Sequence, residues 1–198
     1  MGDCTLAPYQ LTSGLRPGSV ISPVLFAIYV DDVLNKLNSD GCMFYGFSIS
    51  AIMYADDLVL LSPSIYELQL MINVCCNELN SLDLLINLDK SASLRIGKGC
   101  NKICRNIHAM DSNINWVTEA KYLGLCIRSG QKFTCNFDKQ KSKFYRSANC
   151  IFAKLGNLNP PVTLHLVHSI ALPTLTYAIQ ALPLTNSYCC RIQQSAAW

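Results

Sequence analysis

The sequence predicts an α+β fold, with strands and helices mixed over the first two thirds of its 198 residues and mostly helices afterwards. Three observations carry this. Apolar runs flank the polar break Ala55-Asp56-Asp57, as in a pair of strands joined by a turn. Apolar residues repeat at helical spacing over 22–37 and again from Ser64 to Leu79. From Phe137 a helical pattern runs to about Leu155, and another follows from Val162.

Residues 1–13 show no period. Gly14-Leu15-Arg16-Pro17-Gly18 is a turn, because two glycines and a proline within five residues stop any regular element. Ser22-Pro23 then opens a helix, with Ser as cap and Pro at the first helical position. Leu25, Phe26, Tyr29, Val30, Val33, Leu34 and Leu37 form its apolar repeat, and Gly41 closes the unit. Phe44 to Ser62 reads as strands, broken at Ala55-Asp56-Asp57. Ser64 with Glu67 three residues on is a capping box. The helix behind it carries Ile65, Leu68, Met71, Ile72, Cys75 and Leu79 on one face. Ser93 to Ile96 reads as a short strand, 98–115 as a loop with a hairpin around Asp111-Ser112-Asn113, and Tyr122 to Ile127 as another strand.

Composition narrows the function. Residues 1–97 hold four basic and ten acidic side chains, net −6, whereas 98–198 hold twelve and three, net +9. Such a split suits cation binding in the first part and polyanion binding in the second, or equally a chance distribution over solvated faces. Of the eleven cysteines, Cys75-Cys76 and Cys189-Cys190 are vicinal pairs, which suit a disulfide framework badly, and no Cys/His set has zinc spacing. The thiols are expected to be reduced and the protein intracellular, since the first residues do not read as a signal peptide. Residues 162–184 carry no Asp, Glu, Lys or Arg, but His165, His168, Gln180 and Pro173 interrupt them. A buried helix pair is expected there rather than a membrane span. The mean hydropathy of +0.23 is high for a soluble chain and points to apolar surface that a partner or a further segment covers.

The chemistry centres on Tyr54-Ala55-Asp56-Asp57. Neighbouring carboxylates repel, and a cation between them removes the repulsion. A hairpin turn projects both toward one point, where Mg²⁺ would find hard oxygen ligands and keep waters and substrate phosphates in its shell. An isolated Ala-Asp-Asp is most often an ordinary polar turn, so context decides. By contrast, Asp31 and Asp32 lie adjacent on a helix about 100° apart and cannot jointly face one ion.

That context is a resemblance to one family. Tyr-Ala-Asp-Asp resembles the active-site motif of reverse transcriptases of the non-LTR retrotransposon type. GLRPGSVISPVLF (Gly14 to Phe26), INLDKSASL (Ile86 to Leu94), KYLGLCI (Lys121 to Ile127) and LPTLTYA (Leu172 to Ala178) resemble further family motifs, in the family's order. The resemblance implies a partial palm over 1–128, an antiparallel sheet with helices on one face, followed by a helical thumb-like region over 129–198. It implies RNA-templated DNA synthesis by two-metal nucleotidyl transfer, with an RNA template, a DNA primer and deoxynucleoside triphosphates as partners.

The resemblance also assigns residues. Asp56 and Asp57 would hold Mg²⁺, or Mn²⁺ in its place. Lys90 would donate a proton to the pyrophosphate leaving group. Gly14, Arg16, Gly18, Ser19 and Tyr54 would line the nucleotide and template site, although Pro17 stands where the family usually has Gln. Lys121, Tyr122, Leu123 and Gly124 would form the primer grip. Lys139, Lys143 and Arg146, at i, i+4 and i+7, would contact nucleic-acid backbone from one helix face. The family also uses an aspartate on a strand well before the glycine turn. Here 13 residues precede Gly14, and among them only Asp3 is acidic. A fragment inactive on its own is therefore expected. The alternative is a non-catalytic nucleic-acid-binding remnant of a decayed retroelement.

Overall fold

The computed structural model describes residues 20–37, 41–110, 112–155 and 160–177. The chain divides into two compact units, Met1–Ile86 and Asn87–Trp198.

In the first unit, α1 (Ser22–Lys36) begins as its proline predicts, but the cap is Ile21, which offers no side-chain hydrogen bond. Ser22 is already helical, so the expected serine cap is not formed there. Val30, Val33 and Leu37, spaced i, i+3 and i+7, are the buried stripe. Two hairpins follow. β1 (Cys42–Phe44) pairs with β2 (Phe47–Ile49) across Tyr45-Gly46, both at positive φ, and β3 (Ala51–Tyr54) pairs with β4 (Asp57–Leu60). The sequence reading had strands here but not the first turn.

Helix α2 (Ile65–Ser81) starts as expected. Ser64 Oγ accepts from the Glu67 amide at 3.1 Å, and the Ser62 hydroxyl donates to the Glu67 carboxylate at 3.3 Å. Its inner face places Met71 and Cys75 against Val33 and Leu37, and Ala51, Leu58 and Leu60 pack on the same cluster. Alternation along the strands thus turns Ala51, Met53, Leu58 and Leu60 inward and leaves Ile52, Tyr54, Asp57 and Val59 on the other face.

The second unit opens with a turn at 88–90 and a stretch held only by isolated parallel bridges, Ser93 to Trp116 and Ile96 to Gly130. The strand expected over 93–96 is no more than these bridges, because neither neighbour continues the ladder. β5 (Ile107–Ala109) and β6 (Ser112–Ile114) form a hairpin in which Ala109 faces Ser112 and Met110 opens the turn; the expected Asp111 lies outside the described residues.

The single strand expected over 122–127 is instead split. β7 (Glu119–Tyr122) and β8 (Leu125–Arg128) flank the turn Leu123-Gly124, and β9 (Thr134–Asn136) adds to β8. Gly124 supplies a positive φ of 81° without strain, which is why the chain reverses there.

The helical part matches the periodicity. α3 (Asp138–Leu155) buries Gln140, Phe144 and Ala148. A further helix runs as α4 (Pro160–Leu166), a π-helical stretch Val167–Ala171, and α5 (Leu172–Thr176). Pro173 has no amide to donate, and its ring crowds the preceding turn. The wider turn just before it, closed by the Leu172 amide on Val167 O, accommodates the ring. Phe144 and Ala148 pack on Ala171 and Leu175, with Ile151 and Val167 at the margin. No described helix is long and apolar enough to cross a membrane.

Candidate active site and nucleic-acid interface

The β3–β4 hairpin is a minimal device for displaying carboxylates. Tyr54 pairs with Asp57, so the turn is only Ala55-Asp56, and Ala55 sits at φ 52°. Both aspartates are exposed. Asp57 shares its face with Tyr54 rather than with the core, as the strand alternation requires. Leu58 and Leu60, anchored on α1 and α2, hold the hairpin from behind.

Charge around it is one-sided. Among the described residues of this unit the only basic side chain is Lys36, and it is bound to Glu78 at 2.7 Å. Among the described residues, the aspartates therefore have no free protein cation of their own unit beside them. Their hard oxygen donors suit a divalent ion such as Mg²⁺. No group of three or more His, Cys, Asp or Glu that could hold a metal occurs among the described residues. The pair would supply part of a shell, leaving places for water and phosphate oxygens. Asp31 and Asp32 are exposed on α1, with Asn35 donating to Asp31 at 3.0 Å, as a solvated face should be.

In the second unit the β7–β8 turn and α3 carry the other candidate groups. Lys121 is exposed next to the turn, and Tyr122 and Leu123 are half-buried. The sheet beneath is laced by Glu119. It accepts from Arg128 Nε across the β7–β8 pair and from Asn136 Nδ2 on β9 at 3.3 Å. The Arg128 hydrogen bond first, and the Cys126 thiol second, hold the Glu119 carboxyl below its usual range. Burial, then the carboxylate beside it, pushes the Cys126 thiol up. On α3, Lys139, Lys143 and Arg146 are exposed, roughly opposite Gln140, Phe144 and Ala148.

Comparison with known proteins decides the family. Residues 2–127 match the family described as reverse transcriptase (RNA-dependent DNA polymerase). The chain belongs to the reverse transcriptase family. It is 27% identical over 132 residues to the retrovirus-related Pol polyprotein from type-2 retrotransposable element R2DM of Drosophila melanogaster, covering 62% of this chain and 12% of that protein. It is 27% identical over 97 residues to the corresponding polyprotein from type-1 retrotransposable element R2 of Popillia japonica, covering 48% of this chain and 16% of that protein. The chain thus spans only a small part of the curated relatives it matches. No solved structure gives a significant match. The non-LTR retrotransposon kind expected from the motifs is borne out, as is the α+β class.

Within this reverse transcriptase segment, the β3–β4 hairpin and the β7–β8 hairpin both turn through two residues between antiparallel strands. Lys90 is exposed in the turn at 88–90, where its amide donates to Asn87 Oδ1 at 3.2 Å. Gly14, Arg16, Gly18 and Ser19 lie outside the described residues. Two residues that sequence spacing did not single out touch the Leu123-Gly124 turn. Gln140 Nε2 donates to Gly124 O at 3.0 Å, and Tyr177 Oη donates to Leu123 O at 3.0 Å. One signal for Gln140 was available, since it stands in phase with Phe144 and Ala148 on a core-facing stripe.

Proposed function

We propose that this chain is the metal-binding and primer-binding part of an RNA-directed DNA polymerase, a palm segment over 1–128 followed by a thumb-like region over 129–198. The carrying observation is the exposed Asp56-Asp57 pair at a hairpin tip whose own unit offers no free cation among its described residues, in a reverse transcriptase family member. Asp56 and Asp57 bind Mg²⁺, or Mn²⁺ in its place. The metal they would hold would supply Lewis-acid stabilisation of the charge that nucleotidyl transfer places on the reacting oxygens. Tyr54, Gly14, Arg16, Gly18 and Ser19 line the nucleotide and template site. Lys90 protonates the departing pyrophosphate. Lys121, Tyr122, Leu123 and Gly124 hold the primer end, and Lys139, Lys143 and Arg146 hold phosphates of the RNA–DNA duplex.

Two carboxylates from one turn leave each of two ions loosely fixed, so the 198-residue chain by itself is expected to bind Mn²⁺ and nucleic acid without extending a primer. Mn²⁺ binding followed by electron paramagnetic resonance, beside primer extension on an RNA template, tests this. Loss of Mn²⁺ binding in Asp56→Asn and Asp57→Asn supports the site. Unchanged binding in both variants refutes it, and robust extension by the wild-type chain refutes the inactivity. The second reading, a nucleic-acid-binding remnant without catalysis, is favoured by the exposed basic face of α3. It predicts duplex binding with no metal bound at Asp56.

A further inference from the structure

The tip of the β7–β8 hairpin is caught at two points by the helices of its own unit. Leu123 and Gly124 are the two residues of the turn, and their carbonyls have no place in the strand ladder. Each finds a side-chain donor instead. Tyr177, at the end of α5, gives its hydroxyl to Leu123 O, and Gln140, on α3, gives its amide to Gly124 O, both at 3.0 Å. The tyrosine ring also closes over the glycine, because a Cβ at Gly124 would come within 3.2 Å of Tyr177 Cε1.

Gln140 sets the argument. It is only 6% exposed, and its Oε1 has no partner among the protein atoms. A polar residue on the stripe that otherwise carries Phe144 and Ala148 costs desolvation that an apolar residue would avoid. Among the described residues, its amide hydrogen bond to the turn is the polar contact that offsets this. The two donors come from helices separated in sequence by the whole of α4, yet they converge on consecutive carbonyls.

We infer that Gln140 and Tyr177 form a two-point clamp that fixes the Leu123-Gly124 turn to the helical bundle, so that the grip turn and the basic face of α3 meet a primer strand in one fixed geometry. Both are positioning residues. The inference rests on the reading above that this turn and this face bind nucleic acid.

The test uses the full chain as wild type, Tyr177→Phe, Gln140→Leu and the double variant, with Phe144→Leu as a packing control. Amide hydrogen exchange reports the turn, and anisotropy of a recessed RNA–DNA hybrid at several salt concentrations reports binding. The double variant should exchange faster at 122–125 and bind about five- to tenfold more weakly, the scale of two lost hydrogen bonds, with an unchanged salt slope. Phe144→Leu should lower the melting temperature without that loss of affinity. Unchanged exchange at 122–125 in the double variant would overturn the clamp. Faster exchange with wild-type affinity would overturn its positioning role alone. Absence of hybrid binding by the wild-type chain would overturn the nucleic-acid reading and the positioning role together, while the exchange data still judge the clamp.

Discussion

At the scale of single residues, Ala55 shows how tightly the motif turn is drawn. An alanine at φ 52° occupies the left-handed region, where its Cβ is crowded. Ala55→Gly should leave stability unchanged or raise it slightly, while Ala55→Val should lower it by about 1–2 kcal/mol, in urea denaturation followed by circular dichroism. Equal stability of the two variants would show that the turn is not strained as described. The aspartates beside it were legible in the sequence because adjacent acids between apolar runs are unusual, and their order among other motifs was more telling still. Gln140 and Tyr177 were not legible as a pair. Their meeting point depends on a turn, two helices and a π-helical stretch, none of which sequence spacing records.

Elements were read best where a local rule sets them. The Ser64–Glu67 box is written within a few residues and formed as expected, whereas the α1 repeat is buried only at Val30, Val33 and Leu37, with Leu25 and Tyr29 exposed. The strands fared worse. β9 depends on β8 for its pairing, and 93–96 had strand composition with no neighbour able to continue the ladder. Helix α2 also makes a chemical prediction. Burial first, and Cys76 next to it second, push the Cys75 thiol up to about 11. A raised thiol pKa favours the folded state below the ordinary value of 9.0, and that contribution fades as pH rises through about 11. At pH 8 Cys75 should therefore resist iodoacetamide while exposed Cys150 reacts, as peptide mass mapping would show. Similar labelling rates for the two in the folded protein would contradict the packing of α2.

For the whole molecule, the charge asymmetry read from composition falls close to a structural boundary. The acidic stretch ends near residue 97, and the first compact unit ends at Ile86. Part of the high mean hydropathy is visible too, as Val24, Ile28, Tyr45 and Phe47 stand exposed in the first unit. The second unit should bind nucleic acid mainly through phosphates. Removing Lys143 should reduce the slope of log affinity against log salt by about one, with no change in sequence preference. A triple change at Lys139, Lys143 and Arg146 should flatten most of the slope, and an unaltered slope would place the contact surface elsewhere.

The π-helical stretch Val167–Ala171 gives this unit a sensitivity to local winding that its core packing alone would hide. Wound as an ordinary α-helix with the same number of residues, it would swing everything beyond it by about 100° about the axis. Leu175 would leave its place beside Phe144, and the phenol at 177 would face away from the carbonyl it now reaches. A change that removes the need for the wider turn, such as replacing Pro173, can thus uncouple a hairpin some fifty positions upstream, whereas most point substitutions at the exposed positions of the same stretch would pass unnoticed.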